Sequence, residues 1–188
     1  MRHRRLFLLA LLVSLAPWAA PQALAQTVIE SKTPLRERDV IFVPTREPVA
    51  NAMMKLANVT KNDVVYDLGC GDGALVIAAA KLGARVVGVD IDPERIKEAT
   101  AKVREAGVQD RVTLIRGDIF DPAIKISEAS VVTLYLLQSL NEKLAPRLRK
   151  ELKPGSRVVS HAFSMGESWP AEQSEQVDYT NVYLWTIK

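Results

Sequence analysis

The stretch Val64-Val65-Tyr66-Asp67-Leu68-Gly69-Cys70-Gly71-Asp72-Gly73 decides how the rest of the chain is read. Its first five residues are mostly apolar and predict a short buried strand over 64–68. Three glycines at alternate positions follow, and the Ala- and Leu-rich segment from Ala74 to about Leu82 reads as a helix. The absence of Cβ atoms at Gly69, Gly71 and Gly73 lets a ligand approach backbone N–H groups at a helix N-terminus.

Strand and helix patterns alternate on both sides of this loop. Upstream, Pro48 suits the first turn of a helix, and Val49, Ala52, Met53, Leu56 and Ala57 share one face. Downstream, Arg85–Val89 reads as a second strand closed by Asp90. Asp92 caps a helix that carries Ile96, Ala99 and Val103 inward and stops at Gly107. Strands are expected again over 112–115, 129–136 and 157–163, with a helix capped by Asn141 between the last two, although Pro146 costs it a hydrogen bond or kinks its start. Two β-rich pieces, 176–179 and 182–187, end the chain; joined by so few residues, they can only be antiparallel. The expected fold is α/β, a doubly wound, mostly parallel seven-stranded sheet with a C-terminal antiparallel hairpin at one edge.

Composition narrows the function classes. The 188 residues are 48% apolar and 25% charged, a balance suited to one globular domain. Of 25 basic groups, Arg2, Arg4 and Arg5 stand in the first 25 residues, where there is no acid, which leaves 22 against 22 acids. That neutral remainder argues against a broad basic face for nucleic acid. Cys70 is the only cysteine and, beyond His3, His161 the only histidine, so a disulfide framework and Cys- or His-based metal sites are not expected.

Residues 1–25 have a basic start, an apolar run over Leu6–Leu15 and Ala23-Leu24-Ala25 at the end, the layout of a cleavable secretory leader. Export is expected, to the periplasm if the source is a bacterium. The alternative is an uncleaved anchor over 6–25, which Pro17 and Pro21 weaken. Arg4-Arg5 carries a trace of the twin-arginine pattern. Residues 26–42 read as an extended or flexible lead-in, and 43–188 as the domain.

In an open α/β sheet the ligand lies beyond the carboxyl ends of the strands, at Asp67–Gly73, Asp90, Asp118, Tyr135 and His161. Gly69-x-Gly71-x-x-Ala74 also satisfies a dinucleotide pattern, with Asp90 near the distance for a ribose contact. Charge favours a different cofactor, because Asp67 and Asp72 would oppose a pyrophosphate by about 1 kcal/mol each even when solvated. S-adenosylmethionine carries a sulfonium and an ammonium and no phosphate. Asp67 can accept from its ammonium, Asp90 from the ribose hydroxyls and Asp118 from the adenine amine.

Asp67–Gly73, then Val87-Gly88-Val89-Asp90, then Gly117-Asp118-Ile119-Phe120, resemble the successive motifs of class I S-adenosylmethionine-dependent methyltransferases, a Rossmann-like family. Phe42-Val43-Pro44-Thr45 and Leu134-Tyr135-Leu136-Leu137 are most similar to the branch that contains protein-lysine methyltransferases of the ATP synthase c-subunit and the adenine nucleotide translocase. The resemblance implies a methyl acceptor in a membrane-associated protein, such as a lysine. Arg46, Gln138, Ala162 and Ser164 depart from that branch on the acceptor side. Tyr135 and His161 are the candidates for holding the acceptor, and Thr45 and Glu47 for bordering the methionine end of the cofactor. Cys70 reads as a packing residue. A nicotinamide-dependent oxidoreductase and a non-catalytic nucleoside-binding domain stand as alternatives.

Overall fold

The computed structural model describes residues 27–33, 35 and 41–188; the leader or anchor expected over 1–25, and most of the second half of the lead-in, lie outside them. The chain runs β1 (Thr27–Glu30), α1 (Glu47–Leu56), β2 (Val64–Leu68), α2 (Ala74–Lys81), β3 (Arg85–Asp90), α3 (Pro93–Glu105), β4 (Val112–Arg116), β5 (Val131–Leu134), α4 (Gln138–Glu151), β6 (Arg157–His161), β7 (Gln173–Val177) and β8 (Thr180–Thr186). One sheet has the order β1-β4-β3-β2-β5-β6-β8-β7. Pairing is parallel from β1 to β6 and antiparallel at β6–β8 and β8–β7.

The seven strands expected from the sequence are present, and an eighth joins them. Thr27–Glu30, inside the lead-in expected over 26–42, pairs with β4. All four of its residues are exposed, so it carries no alternation of buried and exposed positions that would mark it as a strand. Its place comes from the unpaired edge that β4 offers.

The chain winds one way from β2 through β3 to β4 and the other way through β5 and β6. The crevice beyond β2 is therefore a topological switch point. Helices α1, α2 and α3 cover one face over Val65, Val86, Leu114, Val131 and Val159. The other face packs Leu68, Val132, Leu134 and Trp185 against Leu144 and Leu148 of α4. Asp92 caps α3 as expected, its carboxylate accepting from the Glu94 N–H at 2.9 Å.

Several boundaries differ from the sequence reading; β6, expected to run to Phe163, stops at His161. Strand β5 ends at Leu134, so Tyr135 stands just beyond the sheet. The hairpin turn falls at Asp178-Tyr179 because Asp178 takes a left-handed conformation, φ 53°, which Asp tolerates better than most residues. Helix α4 starts at Gln138, four residues earlier than a cap at Asn141 implies, and Asn141 lies wholly buried inside it with no capping role. Leu140 and Leu144 extend the apolar stripe back past Asn141, so burial sets the helix start rather than a polar cap.

Candidate active site

Each carboxylate at the switch point is fixed by bonds to the loops around it. Asp67, the fourth residue of β2, is buried between β3 and β5, and its Oδ1 accepts from the Thr133 hydroxyl at 2.7 Å. Burial, with Asp90 and Asp72 nearby, raises its carboxyl from 3.8 to about 7; the Thr133 bond opposes the shift. Asp90 accepts from the Gly71 N–H at 2.8 Å on one oxygen and from the Asp92 N–H at 2.9 Å on the other. Its carboxyl is also raised, by burial, against the pull of those N–H groups. Asp118 accepts from the Phe120 N–H at 2.9 Å.

These groups open onto one cleft. Thr45, Asp67, Gly69, Gly71, Asp90, Asp118 and Tyr135 line it, seven of the ten residues singled out in the sequence. Two of the other three stand behind it. Gly73 is the left-handed residue ahead of α2, and a Cβ there would lie 3.2 Å from that of Ala99, so its missing side chain serves the packing of α2 on α3. His161 is buried behind Tyr135, ring centroids 3.7 Å apart, with Nδ1 3.4 Å from the Thr45 hydroxyl. Burial, with Arg46 nearby, lowers its imidazole to about 4. Glu47 sits exposed in the first turn of α1 and does not line the cleft.

The loop over 69–74 uses its own N–H groups. Those of Gly69 and Cys70 donate to the Val89 carbonyl, that of Gly71 to Asp90, that of Gly73 to the Cys70 carbonyl and that of Ala74 to Asp72. A pyrophosphate needs such donors free. The electrostatic reading changes in one respect: Asp72 is no free charge, because Lys102 binds it at 2.6 Å. The preference for a cationic ligand therefore rests on Asp67, which is buried, and Asp90, which is half-buried; among the described residues neither has a cation partner of this kind. Each retains lone pairs for ligand donors.

Several site residues were not among the candidates, and Phe42, Leu136 and Ile119 entered only inside longer motifs. Thr133 and Leu136 reach the site through strand pairing and the β5–α4 turn, and a Cβ on Gly69 would lie 2.9 Å from Leu136 Cδ2. Phe42 packs over Gly71 beneath the Arg95 guanidinium, 4.7 Å from its centroid. On α4, Arg147 donates to the Ile119 carbonyl at 2.6 Å and to that of Ile124, tying down the loop that begins at Asp118. Ile91 and Ile119 also line the cleft. Each directly follows a strand-end acid, a position that could have pointed to them.

The family model described as the ANTKMT methyltransferase domain matches residues 67–173. A protein of Saccharolobus islandicus named protein-lysine N-methyltransferase is 46% identical over 154 residues, covering 79% of this chain and 94% of that one. A crystal structure titled as an RNA methyltransferase from Salinibacter ruber in complex with S-adenosyl-L-homocysteine shares 51% identity, with a TM-score of 0.73 over 77% of this chain and 94% of that one. A probable cobalt-precorrin-6B C(15)-methyltransferase of Methanothermobacter thermautotrophicus is 30% identical over 128 residues, covering 68% of this chain and 67% of that one.

Proposed function

We propose that this chain, which belongs to the ANTKMT methyltransferase family and is an S-adenosylmethionine-dependent methyltransferase, methylates a lysine amine of a membrane-associated protein. The observation that carries the acceptor reading is the chemistry of the cleft beyond β5 and β6. Tyr135 and Thr45 line it, with the neutral His161 behind them. An amine entering such an uncharged wall is desolvated, which favours loss of its proton and exposes the lone pair that attack requires. Apolar residues at the rim, Ile41 at 90% and Val43 at 55% exposure, suit a partner that is itself apolar.

The residues fit the cofactor. Asp67 would hold the ammonium, Asp90 the ribose hydroxyls and Asp118 the adenine amine, while Ile91 and Ile119 supply apolar walls. When bound, the cofactor supplies a methyl group on a sulfonium whose neutral thioether is a good leaving group. The protein's share of the work is alignment and exclusion of water, which need no metal. The Tyr135 hydroxyl accepts a hydrogen bond from the acceptor amine and turns its lone pair toward the cleft. At about 4, His161 is neutral near neutral pH but too weak a base to hold the amine's proton, so it supports Tyr135 and Thr45, and the proton leaves to bulk water as the amine enters the cleft.

One relative's name points instead to RNA. The charge balance of 22 basic groups against 22 acids beyond the leader favours protein. Labelled S-adenosylmethionine, the purified protein and a membrane extract separate the two: label removed by protease and resistant to ribonuclease is expected, and the reverse overturns the lysine reading. Residues 1–25 support export with cleavage after Ala25. Mass spectrometry of the natural chain should find Gln26 first; an intact Met1 would favour the anchor.

A further inference from the structure

The segment after β6 makes a turn that alanine avoids. Ala162 has φ 64°, in the left-handed region, and the Phe163 N–H donates back to the His161 carbonyl at 2.8 Å. A bond from residue i+2 to residue i around a positive φ is a γ-turn of the rare, strained kind. Backbone strain of this sort persists only where its surroundings enforce it.

The surroundings are one backbone bond and two side chains: the Ala162 N–H donates to the Asn181 carbonyl of β8 at 2.8 Å, and Asn141 and Ser160 hold the other side of the turn. The Asn141 amide, wholly buried in α4, donates to the Phe163 carbonyl at 3.1 Å, the Ser164 carbonyl at 3.3 Å and the Ser160 hydroxyl at 3.2 Å. The Ser160 hydroxyl donates in turn to the Phe163 carbonyl at 2.7 Å. Two carbonyl oxygens facing the amide fix which end is the NH2. Its Oδ1 finds no hydrogen-bond partner among the described residues. A buried unpaired oxygen is costly, and the bonds made by the NH2 end offset that cost.

What the turn holds is the support of the cleft. His161, on one side of Ala162, stacks on Tyr135 and meets Thr45; Phe163, on the other, places its ring 6.5 Å from that of Tyr135. Helix α4 itself begins at the cleft, where Leu140 forms part of the lining. We propose that Asn141 is a positioning residue for methyl transfer: by clamping the Ala162 turn it sets the His161 and Phe163 rings, and through them the orientation of Tyr135. The inference requires methyl transfer at this cleft and is indifferent to whether the acceptor is protein or RNA.

The test uses the full chain with Asn141→Ala, and the same change combined with Ala162→Gly, a residue that takes positive φ without strain. Three quantities are read: affinity for S-adenosylhomocysteine, labelled transfer from S-adenosylmethionine into the membrane extract, and the His161 titration by NMR. Arg46 is the charge that acts on His161, and neither variant touches it. In Asn141→Ala, S-adenosylhomocysteine binding should stay within about twofold while transfer falls about tenfold or more, as for a slightly misplaced reactant. The His161 midpoint should rise from about 4 towards its ordinary 6.5 as the ring loses its burial. Restoring part of both with Ala162→Gly would identify the turn as the link. Unchanged transfer and titration would overturn the proposal, and so would a loss of transfer matched by an equal loss of cofactor affinity. If the wild type labels nothing in the extract, the acceptor reading fails, and the titration with its rescue still decides the role of Asn141.

Discussion

The two halves of the cleft are built by different physics. Beyond β2, β3 and β4 the site is acidic, and its carboxylates are held by loop N–H groups and one hydroxyl, so position and charge are set together. Beyond β5 and β6 it is aromatic and uncharged, and its side chains are set by stacking and by a strained turn. A half that binds one fixed cation gains from pre-oriented acids. A half that receives the acceptor, an ammonium that must lose its proton under the proposed function, gains from a dry wall. The division also predicts where each half is fragile.

The largest effect should come from the loop that closes the acidic half. A Cβ on Gly71 would lie 2.8 Å from Phe42 Cδ2, and the residue has φ 52°. Gly155 has a comparable φ, 85°, with nothing within 4 Å of a new Cβ. Gly155→Ala is expected to lower stability by about 1 kcal/mol through the backbone term alone and to leave cofactor affinity unchanged. Gly71→Ala adds displacement of Phe42 and should weaken S-adenosylhomocysteine binding by about 2 to 3 kcal/mol, roughly a hundredfold by calorimetry. Equal behaviour of the two variants would show that the Phe42 contact does not shape the cofactor half.

Next is Asp90→Ala, which removes a ligand acceptor and orphans the Gly71 and Asp92 N–H groups. The expected loss in S-adenosylhomocysteine affinity is about 1 to 3 kcal/mol. Unchanged affinity would remove Asp90 from the site.

Asp67 separates the halves by pH. Its carboxyl titrates at about 7 in the free protein, and a bound cation favours the ionised form, so binding releases a proton. Affinity for the cofactor should therefore rise about tenfold from pH 6 to pH 8 and level off above, and Asp67→Asn should flatten the profile. Stability of the free protein runs the other way. The folded value lies above 3.8, so the contribution is present below 3.8 and is lost as pH rises through about 7. His161, lowered to about 4, contributes stability above its ordinary 6.5, and this is lost as pH falls through about 4. The aromatic half should thus stay indifferent between pH 7 and 8, where the acidic half still responds.

The same contrast explains what the sequence disclosed. Asp67, Asp90 and Asp118 were legible because strand, turn and acid are adjacent in the chain, and a short apolar run announces each strand. The parallel order and the terminal hairpin followed from connection lengths. The aromatic half was only partly legible. Tyr135 closes a readable strand, but that His161 stands behind it depends on a turn at Ala162 and on Asn141, whose identity suggested a helix cap. The pairing of Asp72 with Lys102 spans 30 residues and two helices, and nothing local marks it. Strand β1 was missed because it has no buried face and exists only through its neighbour.

The smallest expected effect lies where the two chemistries meet the outer hairpin. Arg46 follows Thr45 and binds Asp178 of the β7–β8 turn at 2.8 Å, with the two side chains 62% and 38% exposed. An ion pair so exposed is screened at physiological salt and contributes under about 1 kcal/mol. Arg46→Ala should therefore shift thermal stability by less than that and leave S-adenosylhomocysteine affinity unchanged. Its one specific trace should be a small rise in the His161 midpoint, since Arg46 helps to hold that imidazole neutral. A severalfold loss of methyl transfer at unchanged stability would mean that the hairpin, through Arg46, orders the Thr45 side of the cleft. The aromatic half would then extend to the sheet's far edge, and its wall would depend on a surface charge after all.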